Sequence, residues 1–341
     1  MPLTGTPAEA ISVASRRQAL RALVGFLLAL PARAADRPSG NIRRIGFLDQ
    51  GSAVADTVYV NALRQGLRQF GWIEGENLQV EARFANGRTE DLSALAADLV
   101  RDQVDLIATW STPAALAAKK ATGTIPIVIG FTADPVGSGI VASLARPGGN
   151  VTGWTHSGLE LRAKYLELLR ETVPETVRVG VLWNPDNQAH KPSLRVIESA
   201  ARQLNVELHL AGATNPKSIA SAFEEFAQQR VQALVVFPDG MLVAQAPLII
   251  SLAAKLRLPA MYGVRQYAAA GGLLVYGANL LAMQRRIGAS MVDKILRGAR
   301  PGDLPVEQPT EFELIINLKT AAALGLKIPQ SVLLQANEVI R

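Results

Sequence analysis

The chain of 341 residues has no cysteine, three histidines (His156, His190 and His209) and 5% aromatic residues. The missing cysteine excludes disulfides, thiolate nucleophiles, Cys-ligated metals and a lipid-anchored N-terminal Cys. The histidines are not spaced as a metal pair, and no metal or other cofactor is expected. No G-x-x-x-x-G-K-[ST] or G-x-S-x-G occurs, and no histidine stands near a candidate nucleophile, so a hydrolase or NTPase lacks its parts and no enzyme activity is expected. Gly137-Ser138-Gly139-Ile140-Val141-Ala142 fits the loose dinucleotide pattern G-x-G-x-x-A, but its first glycine stands six residues beyond Phe131, too far from the strand to cradle a pyrophosphate. The formal charge of +6 comes without any Lys/Arg-rich run, and residues 1–34 hold Arg16, Arg17, Arg21 and Arg33 against Glu9 alone. What remains is a solvated basic surface rather than a nucleic-acid footprint.

What the N-terminus does have is an order of features. In SRRQALRALVGFLLALPARA (residues 15–34), three arginines precede the apolar run Ala22 to Leu30, which closes on Ala32-Arg33-Ala34. Basic, apolar, then small-x-small describes a secretory signal peptide over 1–35, and the run is too short to anchor in a bilayer. Ser15 to Arg21 is similar to a twin-arginine export signal, with Ala19 where that pattern prefers Phe, so both the Sec and the twin-arginine routes stay open. Either route leads to a periplasm.

With 49% hydrophobic and 19% charged residues, the chain is large enough for two cores. The stretch Val104 to Gly139 holds one strand, loop, helix, strand unit: an apolar run from Val104, a break at Trp110-Ser111-Thr112-Pro113, an Ala-rich helix to Ala121, and a second run from Ile125 to Phe131. Strands at Arg44–Asp49 and Asn77–Phe84 precede it, with helical stripes at Val60, Leu63, Leu67, Phe70 and at Leu92, Leu95, Ala96, Leu99, Val100. Arg146 to Gly153 reads as a linker. From Val177 the same grammar begins again, with strands from Val177, Val206, Val231 and Leu258, displaced by about 130 positions from their counterparts, which means two copies of one α/β module. A long helix over Leu280–Arg297 and a late strand over Phe312–Leu318 complete sheets begun earlier, so the chain crosses between lobes three times. The expected division is 42–155 plus 280–308 for lobe 1 and 158–278 plus 310–341 for lobe 2: two doubly wound, flavodoxin-like parallel sheets joined by a multi-strand hinge.

Ligands of such sheets bind beyond the carboxyl ends of the strands. In the first half these ends carry Gln50, Ser52, Trp110, Ser111, Thr112 and Asp134; in the second they carry Trp183, Asn184, Asn187, Asp239 and Tyr262. Ser111-Thr112-Pro113 caps a helix, whose free amides suit an anionic group. Asp134-Pro135 reads equally as a turn, and Asp239 equally as a helix cap or as the partner of a cationic or hydroxyl group. Trp110, Trp183 and Tyr262 are candidate walls.

In combination and order, Arg44-Ile45-Gly46-Phe47-Leu48, GLRQFGWIEGEN (Gly66 to Asn77), Thr112 to Thr122, Ile125-Pro126-Ile127-Val128, Asp134-Pro135-Val136-Gly137, Pro147 to Gly153 and Asn317-Leu318-Lys319-Thr320-Ala321 resemble the extracytoplasmic substrate-binding proteins of ABC transporters, in the branch with tryptophan- and tyrosine-type binders. The likeness runs from about Ile42 to Ile340. It implies a type I periplasmic-binding-protein fold, acting as a monomer that closes on a small solute and delivers it to a membrane permease, with the Thr112 loop and Asp239 holding the ligand. A periplasmic sensor subunit feeding a receptor kinase is the alternative that shares this fold.

Overall fold

The computed structural model describes Met1 and residues 42–156 and 160–341; the expected export signal, Met1 apart, lies outside the described residues. Strands β1 (Arg43–Asp49), β2 (Leu78–Phe84), β3 (Leu106–Trp110), β4 (Ile127–Thr132) and β5 (Val151–Thr155) form a parallel sheet in the order β2-β1-β3-β4-β5. This is the flavodoxin-like order. Strands β6 (Arg178–Trp183), β7 (Glu207–Gly212), β8 (Ala233–Val236), β9 (Ala260–Tyr262), β10 (Leu274–Ala278), β11 (Phe312–Asn317) and β12 (Glu338–Ile340) form the second sheet in the order β12-β11-β10-β9-β8-β6-β7. Its first five strands repeat the order of the first sheet.

Helices α1 (Ala53–Gln69), α2 (Leu92–Arg101) and α3 (Thr112–Ala121) cover the first sheet. Local signals set their ends: Gly71 stands at φ +86 just past α1, and α3 begins on the Ser111 cap with Pro113 in its first turn. Helices α4 (Leu161–Thr172), α5 (His190–Leu204), α6 (Pro216–Gln228), α7 (Gly240–Ala244), α8 (Ala246–Lys255) and α9 (Gln266–Ala269) belong to the second lobe. An Asn215–Ser218 capping box opens α6.

The chain passes between the lobes after β5, after β10 and before β11. After β10 it forms α10 (Leu280–Met283), a π-helical turn at Gln284–Gly288 and α11 (Ala289–Leu296), which return to the first lobe and dock on α1. Trp72 Nε1 donates to Asp293 at 2.8 Å, and a Cβ on Gly66 would stand 2.0 Å from the Arg285 carbonyl oxygen. Where one continuous helix over Leu280–Arg297 was expected, this close crossing coincides with the π turn. Met283, Ile287, Met291 and Ile295 are buried, as their spacing implies.

Two further expectations are corrected. The Arg146 to Gly153 segment is not all linker: β5 begins at Val151 and pairs with β4. Gly153 at φ +143 lies so close to β4 that a Cβ would stand 2.1 Å from Ile129 O, so the residue that looked like a loop signal is what allows the two strands to touch. The second sheet is also not wholly parallel, since β11 runs antiparallel to β10. β10 sends the chain out to the first lobe and β11 brings it back, which reverses its direction.

Candidate ligand site between the lobes

On the first lobe the carboxyl ends of β1, β3 and β4 carry buried polar groups and a strained backbone. Ser111 has φ +120 and Phe131 φ +50, unusual values for residues with a Cβ, of the kind that persist where the surroundings dictate them. Ser111 Oγ accepts from Ala114 N at 3.3 Å, so the cap is formed, and Thr112 is buried at the first position of α3. Gln50 is fully buried; it donates to Thr89 Oγ1 at 2.8 Å and leaves its own carbonyl oxygen without a partner, beside Gly240 of the other lobe. Ser52 N donates to Asp56. Asp49 and Asp56 form a buried carboxyl pair: burial and the neighbouring carboxylate push Asp49 well above the usual range, and burial raises Asp56 from 3.8 to about 6.

On the second lobe Asp239 is a hub. Asn184 and Asn187 donate to its two oxygens at 3.0 and 2.9 Å, and Met241 N and Leu242 N at the start of α7 donate at 3.0 and 3.2 Å. Four donors occupy this carboxylate, the capping role among them. His190 joins the same knot: Asn184 N donates to its Nδ1, and its Nε2 lies 3.1 Å from Pro238 O. Burial lowers the His190 pKa against the field of Asp239, which raises it.

Where the chain passes from β5 to α4, the lobes meet around Arg162. This side chain is wholly buried, and its Nε, Nη1 and Nη2 have no hydrogen-bond partner among the described residues. Its Cζ lies 5.1 Å from the ring centroids of both Tyr165 and Phe237. The ring of His156, just past the end of β5, lies tilted with its centroid 4.6 Å from that of Phe131, and neither of its nitrogens is partnered. Burial and then the Arg162 charge hold its pKa well below 6.5, so the ring is neutral. The Tyr165 hydroxyl is also unpartnered; burial raises its pKa and the guanidinium pulls it down. Arg162, Tyr165, His156 and the Asp49–Asp56 pair were not singled out in the sequence. The signal for Arg162 was there: it occupies the buried face of α4 with Tyr165, Leu166 and Leu169.

The remaining expected residues lie elsewhere. Asp134 accepts from Gly137 N at 2.8 Å and makes a turn. Trp183 is half-buried at the β6–β7 edge, packed with the apolar layer of the second lobe. Tyr262 is buried in the sheet's opposite layer, stacked 4.4 Å from Tyr267. Trp110 is packed among Tyr59 at 4.0 Å, Phe131 at 5.6 Å and Trp154 at 5.5 Å. The Trp110–Phe131–His156 contacts make one aromatic row across the strand ends.

Two doubly wound lobes with polar groups buried at their strand ends define a two-lobed protein of the type I periplasmic-binding architecture. Residues 52–340 match the family described as ABC transporter substrate binding protein, and the chain belongs to that family. It is 29% identical over 263 residues to the tyrosine-binding protein of Clostridioides difficile, covering 77% of this chain and 75% of that one. Among solved structures it is similar to a conserved domain protein from Vibrio cholerae (26% identity, TM-score 0.83) and to an ABC domain in complex with L-Trp from Streptococcus pneumonia (24%, 0.82), each over 88% of this chain and 100% of the other. It is also similar to the ligand-free, open structure of a substrate-binding protein with adhesive properties from Clostridium difficile (25% identity, TM-score 0.62, 88% of this chain and 99% of that one).

Proposed function

We propose that this chain is the solute-binding component of an ABC importer, working in the periplasm: its lobes, 42–155 with 280–308 and 158–278 with 310–341, close on a small organic solute, an amino acid or related carboxylate, and the closed form presents it to the permease. One observation carries the reading. Both lobes bury polar side chains without partners at the carboxyl ends of their strands or beside the β5–α4 crossing: Gln50, Thr109, Thr155 and His156 in the first, Arg162 and Tyr165 in the second. A buried polar group without a partner costs about 1–3 kcal/mol and an unpaired charge several, so these groups await a ligand that supplies the missing bonds.

The lobe arrangement supports the mechanism. Gln266 of the second lobe donates to the Tyr59 hydroxyl of the first, and Gly87 stands against Met241, so the lobes touch each other directly, as closure on a solute requires. The better superposition on the L-Trp complex than on the open, ligand-free relative, at equal coverage, agrees with this. A solute shifts the population toward the closed form by its preference for that form, because only there do groups from both lobes reach it. The amino-acid class is supported by the tyrosine- and tryptophan-binding relatives.

Thermal-shift screening of residues 36–341 against amino acids, aromatic acids, sugars and nucleosides, followed by calorimetry, tests the reading. A micromolar ligand, about −8 kcal/mol, present at a hundred times its Kd stabilises the fold by about 2.7 kcal/mol. A panel in which no solute shifts the melting temperature would contradict it.

A further inference from the structure

Arg162 presents an unresolved charge. Its guanidinium is fully buried beside the neutral Tyr165 hydroxyl, makes no hydrogen bond of good geometry, and has no carboxylate paired with it among the described residues. A structural arginine in such a place is ordinarily forked to an acid, because a buried charge without a counterion is among the costliest arrangements a fold can hold. Asp239, whose field acts with that of Arg162 on His190, is already engaged by Asn184, Asn187 and two helix amides. Around the guanidinium stand neutral groups that are also unpartnered: the Tyr165 hydroxyl and the His156 ring. Two aromatic faces, Tyr165 and Phe237, flank it and exclude water.

We propose that Arg162 is the anchor for the solute's carboxylate, with Tyr165 and His156 as neutral hydrogen-bond partners, and that this makes the receptor selective for solutes that carry a single carboxylate. The inference rests on the receptor reading above and narrows its cargo. A planar fork of donors fits a carboxylate in bidentate fashion, which a single hydroxyl or a lysine ammonium does not reproduce. One cation among neutral donors balances a single negative charge, so a phosphate dianion is left with charge uncompensated. The anchor replaces the expected anionic end at Ser111 and Thr112, where the Ser111 hydroxyl already caps α3. It also sits at the seam. Arg162 belongs to α4 of the second lobe, while His156 follows β5 of the first and its backbone N donates to Thr132 at the end of β4. An acid held there touches both lobes at once.

The test compares wild type, Arg162→Lys and Arg162→Met against paired ligands in calorimetry: L-tyrosine with tyramine, L-tryptophan with tryptamine and its methyl ester, together with the best solute from the screen and inorganic phosphate. Wild type should bind the acids at least 100-fold more tightly than the amines or ester and show no response to phosphate. Arg162→Met should lose at least 100-fold in affinity for acids, with Arg162→Lys intermediate. Without ligand, Arg162→Met should melt at or above wild type, because a buried charge with no partner has been removed; a purely structural arginine would give a lower melting temperature and unchanged discrimination. Retention of acid affinity within about threefold in Arg162→Met overturns the proposal, as does equal binding of acid and amine. A neutral solute bound equally by both proteins sinks the anchor and leaves the receptor standing; silence toward every solute sinks both.

Discussion

At the scale of single residues, the site is built from groups whose ordinary partners are missing or already taken. Asp239 is the taken kind: it organises the Asn184–Asn187 loop and the start of α7, so its effect on a ligand runs through the loop it holds. Arg162 is the missing kind. The Asp49–Asp56 pair is a third case, two carboxyls buried side by side at the end of β1. Their folded pKa values lie above the unfolded ones, so the stability they contribute is full below about 3.8, and the part from Asp56 is lost as pH rises through about 6. Wild type should therefore lose about 2–3 kcal/mol from Asp56 alone between pH 4 and pH 8. Asp56→Asn, which keeps an acceptor for Ser52 N, should flatten that slope in chemical denaturation measured across the range. A variant as pH-dependent as wild type would show that the pair is not the source.

At the scale of elements, the repeated βαβ grammar was legible because apolar runs, caps and glycine stops agree with one another. The stripe of α1 ends at Gly71, the hydroxyl before Pro113 opens α3, and Ile219, Ala222, Phe223 and Phe226 face inward from α6. What stayed hidden depends on contacts between distant segments. β5 looked like a linker because Gly153 signals a loop until its approach to Ile129 is known, and the reversal of β11 follows from a route through the other lobe that no local pattern records. The candidate site was half legible for the same reason. The strand-end rule placed Gln50, Ser111, Asn184 and Asp239 among buried polar groups, whereas Arg162 and Tyr165 on α4 follow an interlobe crossing that no local pattern records. The docking of the π turn and α11 on α1 includes a close approach of Gly66 to the Arg285 carbonyl and the Ala289 Cβ. Gly66→Ala should cost about 2–4 kcal/mol in denaturant unfolding, well beyond an ordinary exposed helix substitution; a change under 1 kcal/mol would mean that the helices separate freely there.

At the scale of the molecule, three passages of chain join two sheets wound in the same order, and Gln50, His156, Arg162 and Tyr165 are buried without partners at or beside the passages and strand ends. In the proposed mechanism, a solute that satisfies Arg162 and His156 together stabilises only the arrangement in which the two lie side by side. The central claim is that the cargo sits between the lobes. A crystal structure of residues 36–341 grown with the solute found by screening measures it most directly. The account predicts density enclosed between the ends of β1, β3 and β4 and the loops after β6 and β8, with an acid group at Arg162. Density on an outer face of either lobe, with Arg162 still unpartnered, would contradict it.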